Sequence, residues 1–286
     1  MEKLHPNHPG RIGSSPEYAE ELRTARELRT RDRALRVLDR AQVPYLVGGA
    51  YAFSQYTGIY RDTKDLDLFL DQPSAERAMQ VLADDGWRTE VHDPTWIYKG
   101  YRGSYFVDLI FSSGNGVADV DAAWFRYAES GRAFGRHVWL VPAEELIWSK
   151  AFVLERERFD GADVSHVLRA RGHRLDWPRM MRRFDRYWEV LLSHLMLFRF
   201  SYPSERDVIP DWVLTELLRR AEQSMQRGAE PERLCRGNLL SRVNYAIDIA
   251  EWGYADGRRW DERERQGERG HGEGTEHIRD AGRGGG

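Results

Sequence analysis

Asp65 and Asp67 stand one residue apart in Asp65-Leu66-Asp67-Leu68-Phe69-Leu70, a run whose other positions are all apolar. In an extended strand, alternate side chains share a face, so both acids point one way while Leu66, Leu68 and Leu70 point the other. Two ionised carboxylates held that close repel each other unless a cation lies between them. A third acid, Asp108, lies in a second apolar run, Tyr105-Phe106-Val107-Asp108-Leu109-Ile110-Phe111. Three oxygen donors with no histidine or cysteine cluster nearby favour a hard divalent ion, magnesium first and manganese as the alternative. Gly48-Gly49 closes the apolar run Tyr45-Leu46-Val47 a short distance upstream. Glycine where a strand passes into a helix lets a phosphate approach the main chain, with the helix N-terminus supplying NH donors. Acids that bind metal beside such a turn suit chemistry at phosphorus, in which ions about 4 Å apart activate an attacking hydroxyl and stabilise a leaving pyrophosphate. The blander alternatives are a turn that needs glycine for geometry alone, acids on a solvated strand face, and an Asp108 that caps a strand or pairs with an arginine.

Cations that would meet a phosphate lie on both sides of the acids. Arg61 and Lys64 immediately precede Asp65. Lys150, between Trp148 and Phe152, fits either a contact to a triphosphate or a lysine that snorkels to the surface. Arg158 follows about two turns on, within reach of the same broad face. Asp160 fits either a site role or the N-cap of a helix starting near Gly161. Asp163, one turn on, is placed to hold Lys150 or Arg158. His166 could orient a phosphate, although a lone helical histidine is more often structural.

These residues need a scaffold, and the chain supplies α+β signals for one. Strands are expected over 44–48, 64–70, 87–91, 95–101, 105–111 and 137–141, with helices over 16–41, 49–57 and 73–85. A mixed sheet with helices on one face follows. From Pro142 the texture turns helical, with helices expected from 142 to about 158 and over 161–171, 177–200, 210–226 and 231–252. Met181, Phe184, Trp188, Leu191 and Leu195 form a core stripe at helical spacing, and Trp124 and Trp139 read as core or interdomain anchors. The organisation is a flexible leader (1–13), a sheet core with an N-terminal helix (14–141), a helical domain (142–254) and a disordered tail (255–286) that is charged, glycine-rich and nearly free of aliphatics.

The 286 residues, 41% hydrophobic and 31% charged, are enough for one large or two modest domains. A formal net charge of −3 argues against a uniformly basic, duplex-binding protein. The single cysteine, Cys235, excludes an internal disulfide and points to a reducing cytoplasm. No stretch approaches the roughly 20 apolar residues of a membrane span.

Together, Gly48-Gly49, Asp65-Leu66-Asp67 and Asp108 resemble the signature of the polymerase-β-type nucleotidyltransferase superfamily. More narrowly, Arg61-x-Thr63-Lys64-Asp65-Leu66-Asp67-Leu68, with Lys150, Arg156 or Arg158, and Asp160-Gly161-Ala162-Asp163 downstream, resembles the branch of AbiEii-type toxins and small bacterial transferases. The resemblance covers about residues 44–170. It departs in the 15 residues between Gly49 and Asp65 and in Phe159, where the branch often has a basic residue.

The resemblance implies an Mg-dependent transfer of a nucleoside monophosphate from a nucleoside triphosphate, ATP among the candidates. The acceptor would be the hydroxyl of a small molecule, a tRNA end or a protein side chain, and an antitoxin is an implied partner. Asp65, Asp67 and Asp108 would be catalytic and metal-holding. Gly48, Gly49, Arg61, Lys64, Lys150 and Arg158 would bind nucleotide, with Asp160 and Asp163 behind them. Two other classes remain open: a nucleotide- or protein-binding module without turnover, and an RNA-binding protein using the arginine-rich helices at 21–40 and 169–186.

Overall fold

The computed structural model describes residues 12–13, 25–61, 63, 65–229 and 232–258. Lys64 and most of the expected leader and tail lie outside them. The chain divides into two compact units, Met1–Leu154 with Arg158–Gly228, and Glu155–Glu157 with Ala229–Gly286.

The first unit is built on a mixed seven-stranded sheet. In chain order its elements are β1 (Ile12–Gly13), α1 (Ala25–Arg40), β2 (Leu46–Val47), α2 (Gly49–Thr57), β3 (Tyr60–Arg61), β4 (Asp67–Phe69), α3 (Gln72–Asp84), β5 (Arg88–Asp93), β6 (Ile97–Arg102), β7 (Tyr105–Ile110), α4 (Ala122–Arg126), β8 (Glu129–Ala133) and β9 (Arg136–Leu140). Helices α5 (Ala143–Ala151), α6 (Gly161–Arg171), α7 (Trp177–Phe184), α8 (Trp188–Ser201) and α9 (Asp211–Arg227) follow. The sheet order is β5-β6-β7-β4-β2-β9-β8. Within this sheet β7/β4 and β2/β9 are parallel pairs and the other neighbours are antiparallel. β1, in the expected leader, forms a separate antiparallel pair with β3.

The sheet is short at its centre and buried there. Leu46, Val47, Leu66, Leu68 and Leu109 are all at most 1% exposed. One rung across β4 and β7 sets Leu68 beside Leu109, and the adjacent rung sets Asp67 beside Asp108. Alternation therefore buries the leucines under the helical layer and turns the two acids to the opposite face. Phe69 shares the acids' face and stacks on the fully buried Trp124 at 5.4 Å.

Several elements differ from expectation for identifiable reasons. The helix begun at Pro142 ends at Ala151, and Leu154 then bridges to Phe159. The run Glu155-Arg156-Glu157-Arg158 offers no apolar face to continue a helix. The expected helix over 177–200 is interrupted at Asp185, whose φ of 22° lies outside helical space. The stripe is core as expected at Met181, Phe184, Leu191 and Leu195, all at most 7% exposed. Trp139 is not an anchor: it is 52% exposed, with its ring edge-on to His137. Strand β8 was missed because Glu-Ser-Gly-Arg-Ala carries no apolar alternation; pairing with β9 along five residues makes it extended.

In the second unit, β10 (Leu234–Cys235) pairs in parallel with β11 (Ala255–Asp256), so the chain at 255 is still structured. The continuous helix expected over 231–252 reduces to a turn of 3-10 helix at Gly237–Leu239 and a short α10 (Ala246–Ala250). Ser241 Oγ accepts from Asn244 N at 3.1 Å, one of the side chain–backbone bonds that compete with helix in this polar stretch. Residues 259–286, the bulk of the expected tail, lie outside the described residues. No helix of the described residues is long and apolar enough to cross a membrane.

Candidate active site

The three acids meet at one edge of the central strands. One carboxylate oxygen from each of Asp65, Asp67 and Asp108 lies within 4.8 Å of the other two. Asp67 and Asp108 are register partners on neighbouring parallel strands. Asp108 is fixed by its NH, which donates to Leu66 O at 2.9 Å. Asp65 arrives by a different route from the one its spacing suggests. Regular strand begins only at Asp67, so alternation does not place Asp65. The Thr63 hydroxyl donates instead to the Asp65 carboxylate.

The glycine pair presses directly against this cluster. Gly48 NH donates to Asp67 O at 3.0 Å, joining the end of β2 to β4. Gly49 opens α2 at φ +52°, and a Cβ there would lie 1.6 Å from Asp67 Oδ2. Both observations require glycine: the left-handed backbone and the carboxylate in the side chain's place.

Burial and crowding show in the acids' titration. Burial, then the charges of Asp65 and Asp108, push the Asp67 carboxyl up to about 7, against the opposing pull of Lys150 and Arg158. Burial likewise raises Asp108, although Lys99 works the other way. Both shifts come first from burial, with the like charge of neighbouring acids adding to it. Three carboxylate oxygens at mutual ligand spacing, in mutual repulsion, fit a divalent cation.

The downstream residues form a second cluster. Lys150 Nζ donates to Asp160 at 3.0 Å and to Asp163 at 2.8 Å. Arg158 makes a forked pair with Asp160 at 3.1 and 3.0 Å. Asp160 stands at the N-cap position of α6, but its side chain caps nothing and is taken up by these two cations. Burial pushes the Asp160 carboxyl up, but the Arg158 and Lys150 contacts outweigh it and hold it below the ordinary range. Asp163 holds Lys150 and Arg61, with no hydrogen bond from Arg158: Arg61 donates to it from both terminal guanidinium nitrogens and lies over the Phe53 ring at 4.5 Å. Lys150 and Arg158 also act on Asp67, so the two clusters share one electrostatic neighbourhood. His166 sits edge-on to Phe53, at 6.2 Å between ring centres, and burial lowers its pKa.

Two residues at this site were not singled out in the sequence. Lys99, the cross-strand neighbour of Asp108 on β6, places Nζ 2.7 Å from Asp108 Oδ1. Arg31 is fully buried in α1, bonded to Glu27 at 2.6 Å, to the Tyr51 hydroxyl at 2.5 Å and to Thr63 O at 2.6 Å. It therefore ties α1 and α2 to the turn that carries Asp65. Arg31 falls at helical spacing in the stripe Leu28, Leu35, Leu38, but its residue type is that of its exposed neighbours Arg29, Arg33 and Arg36. Arg31→Met removes two donors and an ion pair from a dry site and is expected to lower stability by about 3 kcal/mol. A urea titration that places the variant within 0.5 kcal/mol of wild type, on the order of a surface substitution, would contradict this.

Several arginines of the two arginine-rich helices are taken up in ion pairs, while Arg29, Arg40, Arg174 and Arg182 are exposed. Arg33 pairs with Asp85 and Arg36 with Asp32, while Arg169 pairs with Glu205 and Arg171 with Glu129. Arg179 is buried against Glu144 and Glu145, and Arg183 reaches Asp121.

No curated protein matches the chain. Among solved structures it is similar to the lincosamide antibiotic adenylyltransferase LnuA in its lincomycin-bound form, at 19% identity over 50% of this chain and 96% of that one, with a TM-score of 0.37. It is also similar to ANT(2")-Ia in complex with adenylyl-2"-tobramycin, at 15% identity over 69% and 99%, with a TM-score of 0.36. A third is JHP933 from Helicobacter pylori, at 10% identity over 79% and 99%, with a TM-score of 0.33. Likenesses at this level carry no inference about substrate. The family match is of another kind: it spans residues 17–197, from before α1 into α8, and includes every acid and cation of both clusters. The chain belongs to the family described as uncharacterised nucleotidyltransferase.

Proposed function

We propose that the chain transfers a nucleoside monophosphate from a nucleoside triphosphate to an acceptor hydroxyl, with Asp65, Asp67 and Asp108 holding magnesium. The observation that carries this reading is the convergence of three carboxylates against Gly48-Gly49 at the mouth of α2. A bound divalent ion would offset the charge of the triphosphate and of the three acids and acidify the attacking hydroxyl. The chain's own groups do the rest. Gly48 and Gly49 let Phe69 and the Asp67 carboxylate pack against the start of α2, whose first-turn NH groups are the donors this reading gives to phosphate oxygens. The acceptor oxygen bonds to the α-phosphorus, the bond to the α,β-bridging oxygen breaks, and pyrophosphate leaves with that electron pair. Asp108, whose affinity for a proton is raised by burial, takes the hydroxyl proton.

Lys150 and Arg158 supply positive charge toward the departing phosphates while Asp160 and Asp163 fix their positions. Arg61, gripped by Asp163, acts through that acid. Lys150→Ala is expected to lower kcat/KM for the nucleotide about ten- to hundredfold, the worth of one charge-assisted contact. Its magnesium requirement should change little. Steady-state kinetics within about twofold of wild type would make Lys150 a purely structural partner of Asp160 and Asp163.

The acceptor is tested by incubating the protein with magnesium and each nucleoside triphosphate in turn, then weighing small hydroxylated compounds, tRNA and proteins by mass spectrometry. A gain of one nucleoside monophosphate on one class identifies it; no adduct on any class counts against transfer. The toxin role and antitoxin partner implied by the motif resemblance would appear as growth arrest on expression, relieved by the product of the adjoining gene.

A further inference from the structure

Asp67, Asp108 and Lys99 occupy one rung across β4, β7 and β6. Alternation puts all three side chains on the same face of the sheet. Lys99 Nζ lies 2.7 Å from Asp108 Oδ1 and 4.8 Å from the centre of the Phe106 ring, and its side chain is only 14% exposed. A lysine so placed is not a solvated surface cation. It is directed along the rung into the acid cluster and takes one of the two oxygens that Asp108 can offer.

We propose that Lys99 is a resident counter-cation of the acid cluster, competing with divalent ions for Asp108 until a metal–nucleotide displaces it. The proposal rests on the reading of Asp65, Asp67 and Asp108 as metal ligands and adds a residue that this reading does not require. Two physical facts set its sign. A positive charge a few ångströms from a cation site weakens binding of any second cation there, and the effect is large where burial lowers the effective dielectric. A carboxylate oxygen bonded to an ammonium has fewer lone pairs free to ligate. Lys99 therefore keeps the three repelling acids together without metal and lowers the affinity of the nucleotide-free site for metal alone. An incoming triphosphate brings its own negative charge and metal, and Lys99 is then released next to the phosphates.

The test is Mn²⁺ binding to the nucleotide-free full chain, read by the loss of the free-ion EPR signal. Lys99→Met keeps the length of the side chain and removes the charge, and it is expected to bind Mn²⁺ about tenfold more tightly than wild type. Lys99→Arg keeps the charge and should stay near wild type. Asp108→Asn added to Lys99→Met should abolish the gain. Wild-type or weaker Mn²⁺ binding by Lys99→Met, with far-UV circular dichroism unchanged, overturns the competition while leaving the metal site itself intact. Failure of both wild type and Lys99→Met to bind Mn²⁺ at millimolar concentration overturns the metal-ligand reading together with this proposal.

Discussion

Asp67→Asn is expected to abolish nucleotide transfer, a fall on the order of a thousandfold or more, and to leave the fold standing. The substitution keeps the side chain's shape beside Gly49 and removes the charge at the centre of the cluster. Its effect on stability has a definite sign. The Asp67 carboxyl is raised to about 7 in the folded protein, above its ordinary value of 3.8. Between those values the folded state binds more protons than the unfolded state, so stability falls as pH rises from about 4 to about 7. Below about 4 the carboxyl is protonated in both states and this contribution to stability is fully present. Asparagine cannot ionise and escapes the loss. Without metal, the variant should melt a few degrees above wild type at pH 8 and show no such gain at pH 4. Thermal melts at both pH values, with a transfer assay, separate the two effects. Wild-type turnover in Asp67→Asn would remove the acid cluster from the chemistry.

Gly49→Ala is the second large expected effect, and it reaches the same carboxylate from the other side. Alanine at φ +52° adopts a backbone conformation that L residues rarely hold, a strain of roughly 1–3 kcal/mol. Its Cβ would meet Asp67 Oδ2 at 1.6 Å, Cγ at 2.6 Å and Cβ at 3.0 Å, so a rotation of the carboxylate alone does not clear it. Either Asp67 leaves the cluster or the first turn of α2 shifts. Both disrupt the site, and at least about a hundredfold loss of kcat is expected, given the sensitivity of such chemistry to ångström displacements. Gly58→Ala is the control: it also has positive φ, +71°, but nothing lies within 4 Å of its added Cβ. It should cost stability with little effect on rate. Equal rates for Gly49→Ala and Gly58→Ala would show that Gly49 serves the turn and not the site.

The convergence of the site was legible where it depends on strand alternation. Asp67 sits in a run whose alternation is clear and Asp108 in an apolar, strand-like one, while the rung they share depends on a parallel pairing that only the fold sets. Gly48-Gly49 was legible because only glycine tolerates both the turn and the close approach. What was hidden depends on contacts between segments far apart in the chain. Thr63 and Arg31, which place Asp65, act through a turn with no period and a helix arginine that resembles its exposed neighbours. Lys99 faces Asp108 only once the register of β6 on β7 is fixed. The Lys150, Asp160 and Asp163 grouping was foreseen as a motif, but on a helix continuing to about 158. The chain instead leaves the helix at Ala151 and returns through the Leu154–Phe159 bridge, which brings Arg158 onto Asp160.

The central claim, transfer of a nucleoside monophosphate by the acid cluster, is tested most directly by following the fate of labelled phosphorus. Nucleoside triphosphates labelled separately at the α- and γ-positions are incubated with magnesium, the protein and the acceptor class that mass spectrometry identifies. The predicted result is α-label on the acceptor and γ-label in pyrophosphate in equal amounts, with neither product formed by Asp67→Asn. Transfer of γ-label to the acceptor, release of γ-label as orthophosphate, or equal product from wild type and Asp67→Asn would contradict it.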